Sequence, residues 1–511
     1  MSPSTTRLLV VSNRLPTVLE KKDSGWTLKP GSGGLVSALA PVLSHRGGVW
    51  IGWPGLPLER GGDWEALMSE GFRERGYDLL PVLLNQEEVK GFYEGFSNAI
   101  LWPLFHDLTG RCDFQPSYWY TYLEVNRKFA DAVVEHSRSD DFVWVQDYQL
   151  IHVAEFVRER SAARIGFFLH IPFPPLDIFM KLPWRGQLLN AFLSYDLLGF
   201  QTQRDRRNFL SCVEHLLDKP EIRKVKFGGP QRVEDASLVE VRTHNRAVRV
   251  GTFPIGIDYA AFAETAASEE VELRVADLRR RIGPYELVVG IDRLDYTKGL
   301  PERLQAFRNA LQRFPELLER ALLMQIVVPS REAVADYQAL KGEIEQLVGE
   351  INGEFSTPGW VPVHYHYRSL SRRDLVALYR MARAGFVSSL KDGMNLVAKE
   401  FVACQVDGLG ALILSEFAGA AAQLKNGALL VNPHDIEGMA DALKAAFEMP
   451  PAERLHRMQL MQEVLRKQDI FWWVDCYLKA ALGTVPDDFR TPKEVLPPAA
   501  GAGADKSWAE V

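Results

Sequence analysis

Residues 285–314 read YELVVGIDRLDYTKGLPERLQAFRNALQRF: an apolar strand, a polar loop ending in glycine, then a helical stretch. The run around Leu287–Ile291 reads as a buried strand. Pro301 stands near the start of the helix, where its missing N–H costs little. The beginning of the chain repeats the plan, with RLLVVSNR (7–14), glycine-rich KPGSGG (29–34) and LVSALAPVL (35–43). Further short apolar runs punctuate helical stretches: FVWVQD (142–147), RIGFFLHIP (164–172), LLGFQT (197–202), LLMQIVVPS (322–330), AGFVSSL (384–390) and GALILSE (410–416). Strands alternating with helices predict βαβ units and parallel sheets, and hence an α/β fold of two domains.

The Pro- and Gly-bearing GTFPIGID (251–258) marks the expected boundary. The reading gives an N-terminal domain over 1–252 and a second over 253–465. Residues 466–483, with the aromatic FWWVDCYLKAAL, form a helix crossing back to the first domain, and the Pro-, Ala- and Gly-rich 484–511 form a disordered tail.

With 511 residues, 47% of them hydrophobic and 24% charged, the chain is long enough for two or three cored domains. A net charge of −7 argues against a nucleic-acid partner, which calls for a basic excess. Cys112, Cys212, Cys404 and Cys476 are scattered, with no spacing suited to zinc or to a disulfide framework, which fits a reducing compartment. The apolar run Leu8–Val11 is too short for a signal core, and no stretch approaches the ~20 apolar residues of a membrane span. The expectation is a cytoplasmic protein with neither membrane nor nucleic-acid partners; homo-oligomerisation is left open.

Open parallel sheets bind ligands at the carboxyl ends of their strands, and two such domains facing each other would make a cleft there. In GSGG, Gly33 and Gly34 free backbone N–H groups ahead of a helix, a natural phosphate cradle or simply a tight turn. Arg293 and Lys298, past an apolar strand and before a helix, are cations placed to meet a diphosphate; surface solvation is the plainer reading. In DGMNLVAKEF (392–401), Asn395 can cap a helix starting at Leu396. The N–H groups of Leu396 and Val397 would then face a phosphate, aided by the helix dipole. Glu400, four residues after Leu396, would accept two hydrogen bonds from a ribose diol, and Asp392 would hold sugar hydroxyls. A capped helix with a solvated Lys399–Glu400 pair is the rival reading.

VVSNRLP, GGVWIGWPG, FYEGFSNAILWPLFH, VWVQDYQL, IGFFLHIPFP, YDLLGFQT, GIDRLDYTKGLPER and LKDGMNLVAKEF occur in the order seen in trehalose-6-phosphate synthases, which the chain resembles from about Arg7 to Leu482. The resemblance implies a retaining GT-B glycosyltransferase of two Rossmann-like domains, joining glucose from a nucleotide-glucose (NDP-glucose) to glucose 6-phosphate, without a cofactor or metal. It implies donor contacts at Gly33, Gly34, Arg293, Lys298, Leu396, Val397, Ala398, Lys399 and Glu400, with Leu370 beside the nucleobase and Asp392 on the transferred glucose. It implies an acceptor site at Arg14, Tyr93, Asp147 and Arg331, with Trp102 nearby. Arg14 and Arg331 suit a phosphate dianion, aromatic rings cover the apolar face of a pyranose, and Asp147 accepts from hydroxyls. His170 falls on a family position near the transferred sugar, as a donor to its hydroxyls. Asp392, Arg293, Lys298 and His170 make up the implied catalytic set.

The family often shows His-Asp-Tyr-His where this chain has Gln146-Asp147-Tyr148-Gln149, so any proton role of those histidines is missing. No two aspartates are separated by a single residue, which removes the acidic metal signature of other nucleotide-sugar transferases. Cations and helix N-termini are therefore expected to neutralise the leaving diphosphate. Rival readings are a glucosylglycerol-phosphate synthase, a related pseudo-glycosyltransferase, or a silent sugar-phosphate sensor; the last would be expected to lose Arg293, Lys298, Asp392 and Glu400, all present.

Overall fold

The computed structural model describes residues 6–22, 25–30, 34–57, 64, 76–224, 238–243, 246–330, 335–483 and 507–508. The chain divides into two compact units, one running to Pro254 and resuming at Trp473, the other spanning Ile255–Trp472. The sequence set the corresponding divisions at 252/253 and 465/466.

The first unit is built on a nine-stranded sheet ordered Asp78–Pro81, Gly48–Trp53, Leu8–Arg14, Phe142–Gln146, Arg164–Leu169, Leu197–Phe200, Ala247–Thr252, Val239–Arg242 and Glu221–Lys224. The strands from Asp78–Pro81 to Ala247–Thr252 run parallel, and the last two add an antiparallel excursion at the edge. Phe142–Gln146 is buried at every position, as a strand covered on both faces must be.

The helix Ile470–Leu482 packs on this sheet through its aromatic side chains. Tyr477 stacks on Trp144 at 4.2 Å with an interplanar angle of 8°, and its hydroxyl donates to the Phe167 carbonyl at 3.0 Å. A Cβ on Gly166 would come within 2.5 Å of that hydroxyl, so the glycine makes room for the helix. Arg249 donates to the carbonyls of Ala480 and Ala481, satisfying the last turn and complementing the helix dipole.

The second unit holds a six-stranded, fully parallel sheet ordered Val363–Tyr367, Ala321–Val328, Glu286–Arg293, Ala384–Val387, Ala411–Ser415 and Leu429–Val431. Glu286–Arg293 is central and leads into the helix Leu300–Arg313. Fully buried Arg303 of that helix ties it to the sheet, through an ion pair to Asp292 at 2.7 Å and hydrogen bonds to Ser388 and Gln325. Burial of this pair is tolerable only because the guanidinium finds several acceptors.

The expected disordered tail lies outside the described residues except Ser507–Trp508, which pairs antiparallel with Leu370–Ser371.

Candidate functional site

Each unit gathers predicted site residues at the carboxyl ends of its strands. In the first, Arg14 ends its strand with its guanidinium 4.5 Å from the Trp53 ring centre and 5.4 Å from that of Tyr93. Its Nη1 donates to the Gly55 carbonyl at 3.3 Å. Gly55, at φ +99°, would place a Cβ 2.5 Å from that same nitrogen, so only glycine leaves the guanidinium its seat. Trp53 and Gly55 belong to GGVWIGWPG, quoted above as a motif but given no site role; an aromatic ring and a glycine carry no chemical signal of what they will touch.

Tyr93 rides on Val89–Leu101, a π-helix whose following residue bonds i→i+5 from Trp102 N–H to Ser97 carbonyl. Wide helical turns of this kind cluster at functional sites. The same segment carries Asn98, whose side-chain oxygen accepts from the Tyr148 hydroxyl at 2.8 Å. Trp102 is only 6% exposed and packs on His106 and Tyr148. It forms the floor under this region rather than an open face.

Asp147 has φ 72° and ψ 170°, a backbone region that side-chain-bearing residues rarely occupy. Two hydrogen bonds hold it there: its N–H donates to the Phe168 carbonyl at 2.8 Å, and its Oδ1 accepts from the His170 N–H at 3.0 Å. The His170 ring, half-buried, meets Gln146 Oε1 through Nε2 at 2.9 Å. Burial pushes the His170 pKa down to about 3, so the ring is neutral. Its Nε2 is committed to Gln146, so the donor role assigned to this ring from the sequence has Nε2 already engaged. Gln149 is also buried, and its backbone carbonyl accepts from Asn126.

In the second unit, Asp392 Oδ2 accepts from Lys298 Nζ at 2.6 Å, Asn395 Nδ2 at 3.2 Å and Ser389 Oγ at 3.3 Å. Asn395 sits at φ 76°, and its Oδ1 accepts from the Ala398 N–H at 3.0 Å, capping the helix Leu396–Cys404. Leu396 and Val397 thus begin the helix with N–H groups that lie ahead of any intrahelical acceptor. Arg293 closes the central strand and is half-buried.

The loop carrying Lys298 is fixed from both ends. Asp295 accepts from the backbone and hydroxyl of Thr297, and Gly299, at φ +62°, would drive a Cβ to 2.1 Å from the Ser388 carbonyl. The 392–395 loop is pressed by a second loop: Ala420 N–H donates to the Met394 carbonyl at 2.7 Å, and Gly419 N–H to that of Asp392 at 3.1 Å. Ser389, Asp295 and Gly419 were not singled out from the sequence. Ser389 and Gly419 are held in part by remote partners, Ser415 Oγ on the Ser389 carbonyl and the Asp392 carbonyl on the Gly419 N–H, which no local pattern exposes, whereas Asp295 bonds within its own loop to Thr297.

Lys399 and Glu400 do not form a solvated pair. Lys399 is fully buried, with Nζ donating to the Ile255 carbonyl at 2.6 Å and Gln423 Oε1 at 2.7 Å. Burial pushes its pKa down to about 7. Only its backbone remains for the donor contact expected at this position. Glu400 is half-buried and accepts from the Tyr379 hydroxyl at 3.2 Å; burial pushes its carboxyl up to about 7. Leu370 is half-buried in its two-residue strand, just before the helix Arg372–Met381 that Ser371 caps. Gly34 opens the helix Gly34–Arg46, whereas Gly33 and Arg331 lie outside the described residues.

Among the described residues no group of three or more His, Cys, Asp and Glu side chains is placed to hold a metal, and no helix is long and apolar enough to cross a membrane.

Residues 6–482 match the model of glycosyltransferase family 20. The chain belongs to that family. It is 42% identical over 486 residues to a trehalose-6-phosphate synthase of Mycolicibacterium vanbaalenii, covering 94% of this chain and 96% of the relative. It also superposes with a TM-score of 0.82, at 34% identity, on a UDP-forming alpha,alpha-trehalose-phosphate synthase of Burkholderia xenovorans in complex with glucose-6-phosphate, covering 93% of this chain and 100% of the other. An E. coli trehalose-6-phosphate protein bound with UDP-2-fluoro glucose gives 0.80 at 35% identity, covering 94% and 100%. The fold of this glycosyltransferase is accordingly of GT-B type, with two Rossmann-like units.

Proposed function

We propose that the enzyme transfers glucose from NDP-glucose to glucose 6-phosphate with retention, giving α,α-trehalose 6-phosphate and the nucleoside diphosphate. The observation that carries the reading is the 2.6 Å Lys298–Asp392 pair beside the Asn395-capped start of the Leu396–Cys404 helix. That arrangement puts a cation and helix N–H groups, which suit a leaving diphosphate, next to a carboxylate that suits sugar hydroxyls. UDP-glucose is the first donor to test, because the Burkholderia relative is UDP-forming and the E. coli one binds a UDP-sugar.

In this reading Arg293, Lys298 and the N–H groups of Leu396 and Val397 hold the diphosphate, with Gly33 and Gly34 completing the cradle. Glu400 accepts from the ribose, Leu370 lies beside the base, and Asp392 and His170 meet the transferred glucose. Arg14 and Arg331 grip the acceptor phosphate, while Tyr93 and Asp147 contact its pyranose. The acceptor hydroxyl oxygen forms its bond to the anomeric carbon on the face from which the diphosphate departs, and a diphosphate oxygen takes the hydroxyl proton. Lys298 works hardest as the carbon–oxygen bond breaks and charge moves onto the leaving group. No metal takes part, and the enzyme acts in the cytoplasm, as its scattered free thiols suit.

The test is turnover of glucose 6-phosphate with UDP-, GDP- and ADP-glucose, following nucleoside diphosphate release and the disaccharide phosphate by NMR. A higher kcat/KM with glycerol 3-phosphate or free glucose would reject the trehalose reading and leave the donor half standing.

A further inference from the structure

We infer that Gln146 is a positioning residue for His170, whose amide fixes which imidazole nitrogen carries the proton and therefore what the ring offers a bound sugar. The inference rests on the reading above, in which His170 meets the transferred glucose.

Gln146 is the last residue of its strand and 1% exposed, and His170 follows the end of the neighbouring strand. Gln146 pairs in register with Phe168, and the adjacent backbone is clamped by the Asp147 N–H on the Phe168 carbonyl and the His170 N–H on Asp147 Oδ1. The ring is walled by Phe168 at 4.7 Å and Trp473 at 6.1 Å between centroids. Neither partner of the 2.9 Å Gln146–His170 contact has much room to drift.

With Gln146 Oε1 as acceptor, His170 carries its proton on Nε2 and keeps a lone pair on Nδ1. The ring then accepts a hydrogen bond from a sugar hydroxyl instead of giving one. The other half of the amide, Gln146 Nε2, is buried and has no protein partner, which leaves a donor unspent beside the ring. A ligand hydroxyl that gives its proton to Nδ1, together with a second ligand oxygen that accepts from the amide, would satisfy both. An amide does not ionise, so the pair holds one tautomer throughout the neutral range. An imidazole or carboxylate at position 146 would titrate or recruit a proton. Burial of the His170 ring, which already disfavours its cation, acts in the same direction.

The experiment uses the full chain labelled with 15N in its imidazoles and long-range 1H–15N correlation spectra, with His170→Ala identifying the signals. The wild type is expected to show His170 as a single Nε2–H tautomer, unchanged from about pH 5.5 to 9, around the ordinary histidine pKa. Gln146→Met should release the ring into two exchanging tautomers and lower kcat/KM by about tenfold or more, the scale on which partners that orient an imidazole act. Gln146→Glu should raise the His170 pKa into the observed range, because a carboxylate favours the imidazolium, and should add a limb to the pH–rate profile. An Nδ1–H tautomer in the wild type, an unaltered tautomer in Gln146→Met, or no change of titration in Gln146→Glu would each overturn the inference. The spectra need no substrate. A lack of turnover with glucose 6-phosphate would therefore sink the functional reading and leave the tautomer result intact.

Discussion

Replacing Lys298 by alanine removes the cation 2.6 Å from Asp392, in a pair whose side chains are 13% and 12% exposed. At that depth solvent screens the charge poorly, and an effective dielectric near 20 makes the attraction roughly 6 kcal/mol before desolvation is subtracted. In the resting enzyme the variant takes the lysine ammonium from Asp392 Oδ2, which also accepts from the neutral donors Asn395 and Ser389. In the reaction it removes a positive charge where the diphosphate gains negative charge. Losing one such preorganised group costs on the order of 10²–10³ in kcat, about 3–4 kcal/mol of transition-state stabilisation. The assay is initial-rate diphosphate release, with donor affinity measured separately by calorimetry, and kcat should fall far more than affinity. Lys298→Ala should also couple to Asp392→Asn. Once the lysine is gone the carboxylate has lost a charged partner, so the second substitution should cost less than it does in the wild type, by about 1–3 kcal/mol. A folded Lys298→Ala enzyme with kcat within about threefold of wild type, below the ~10² expected of such a group, would refute the reasoning.

Arg14→Ala and Arg331→Ala should each lower kcat/KM for glucose 6-phosphate by about 10- to 150-fold, the range for a hydrogen bond to a charged group, while hardly changing the poor use of free glucose. An equal loss with both acceptors would take the phosphate off these arginines. Lys399, whose pKa is depressed to about 7 in the fold, binds fewer protons folded than unfolded between there and its ordinary 10.5. Stability tied to this residue is therefore present above that window and lost as pH falls through 7. Lys399→Met should accordingly show its most favourable Tm, relative to wild type, near pH 6 and a less favourable one near pH 10; a difference independent of pH would contradict the burial argument. Turnover after exhaustive chelation should stay near that with magnesium, and full loss in EDTA restored by a divalent ion would count against cation-and-dipole stabilisation of the leaving group.

Much was legible in the sequence because it depends on neighbours along the chain. Apolar runs such as Leu8–Val11 and Leu287–Val289 became central strands, buried on both faces. Asn395, standing directly before Leu396, capped the helix as its position implied. The order of the motifs pointed to the family, since most of them couple a strand end to the loop that follows it. Lys399 was not legible. Helical spacing puts it next to Glu400, but only the folded unit brings up the Ile255 carbonyl, 144 residues away, and turns a lysine that reads as solvated into a buried one. Tertiary structure alone likewise decided the strained backbone of Asp147, held by acceptors and donors on a neighbouring strand. It also decided that Gln146, which reads as the loss of a histidine, closes on the ring of His170. Local pattern determines which segments become strands and helices, because hydrophobic period and capping act over a few residues. What a polar side chain does at a strand end is settled by partners that parallel topology brings in from remote sequence.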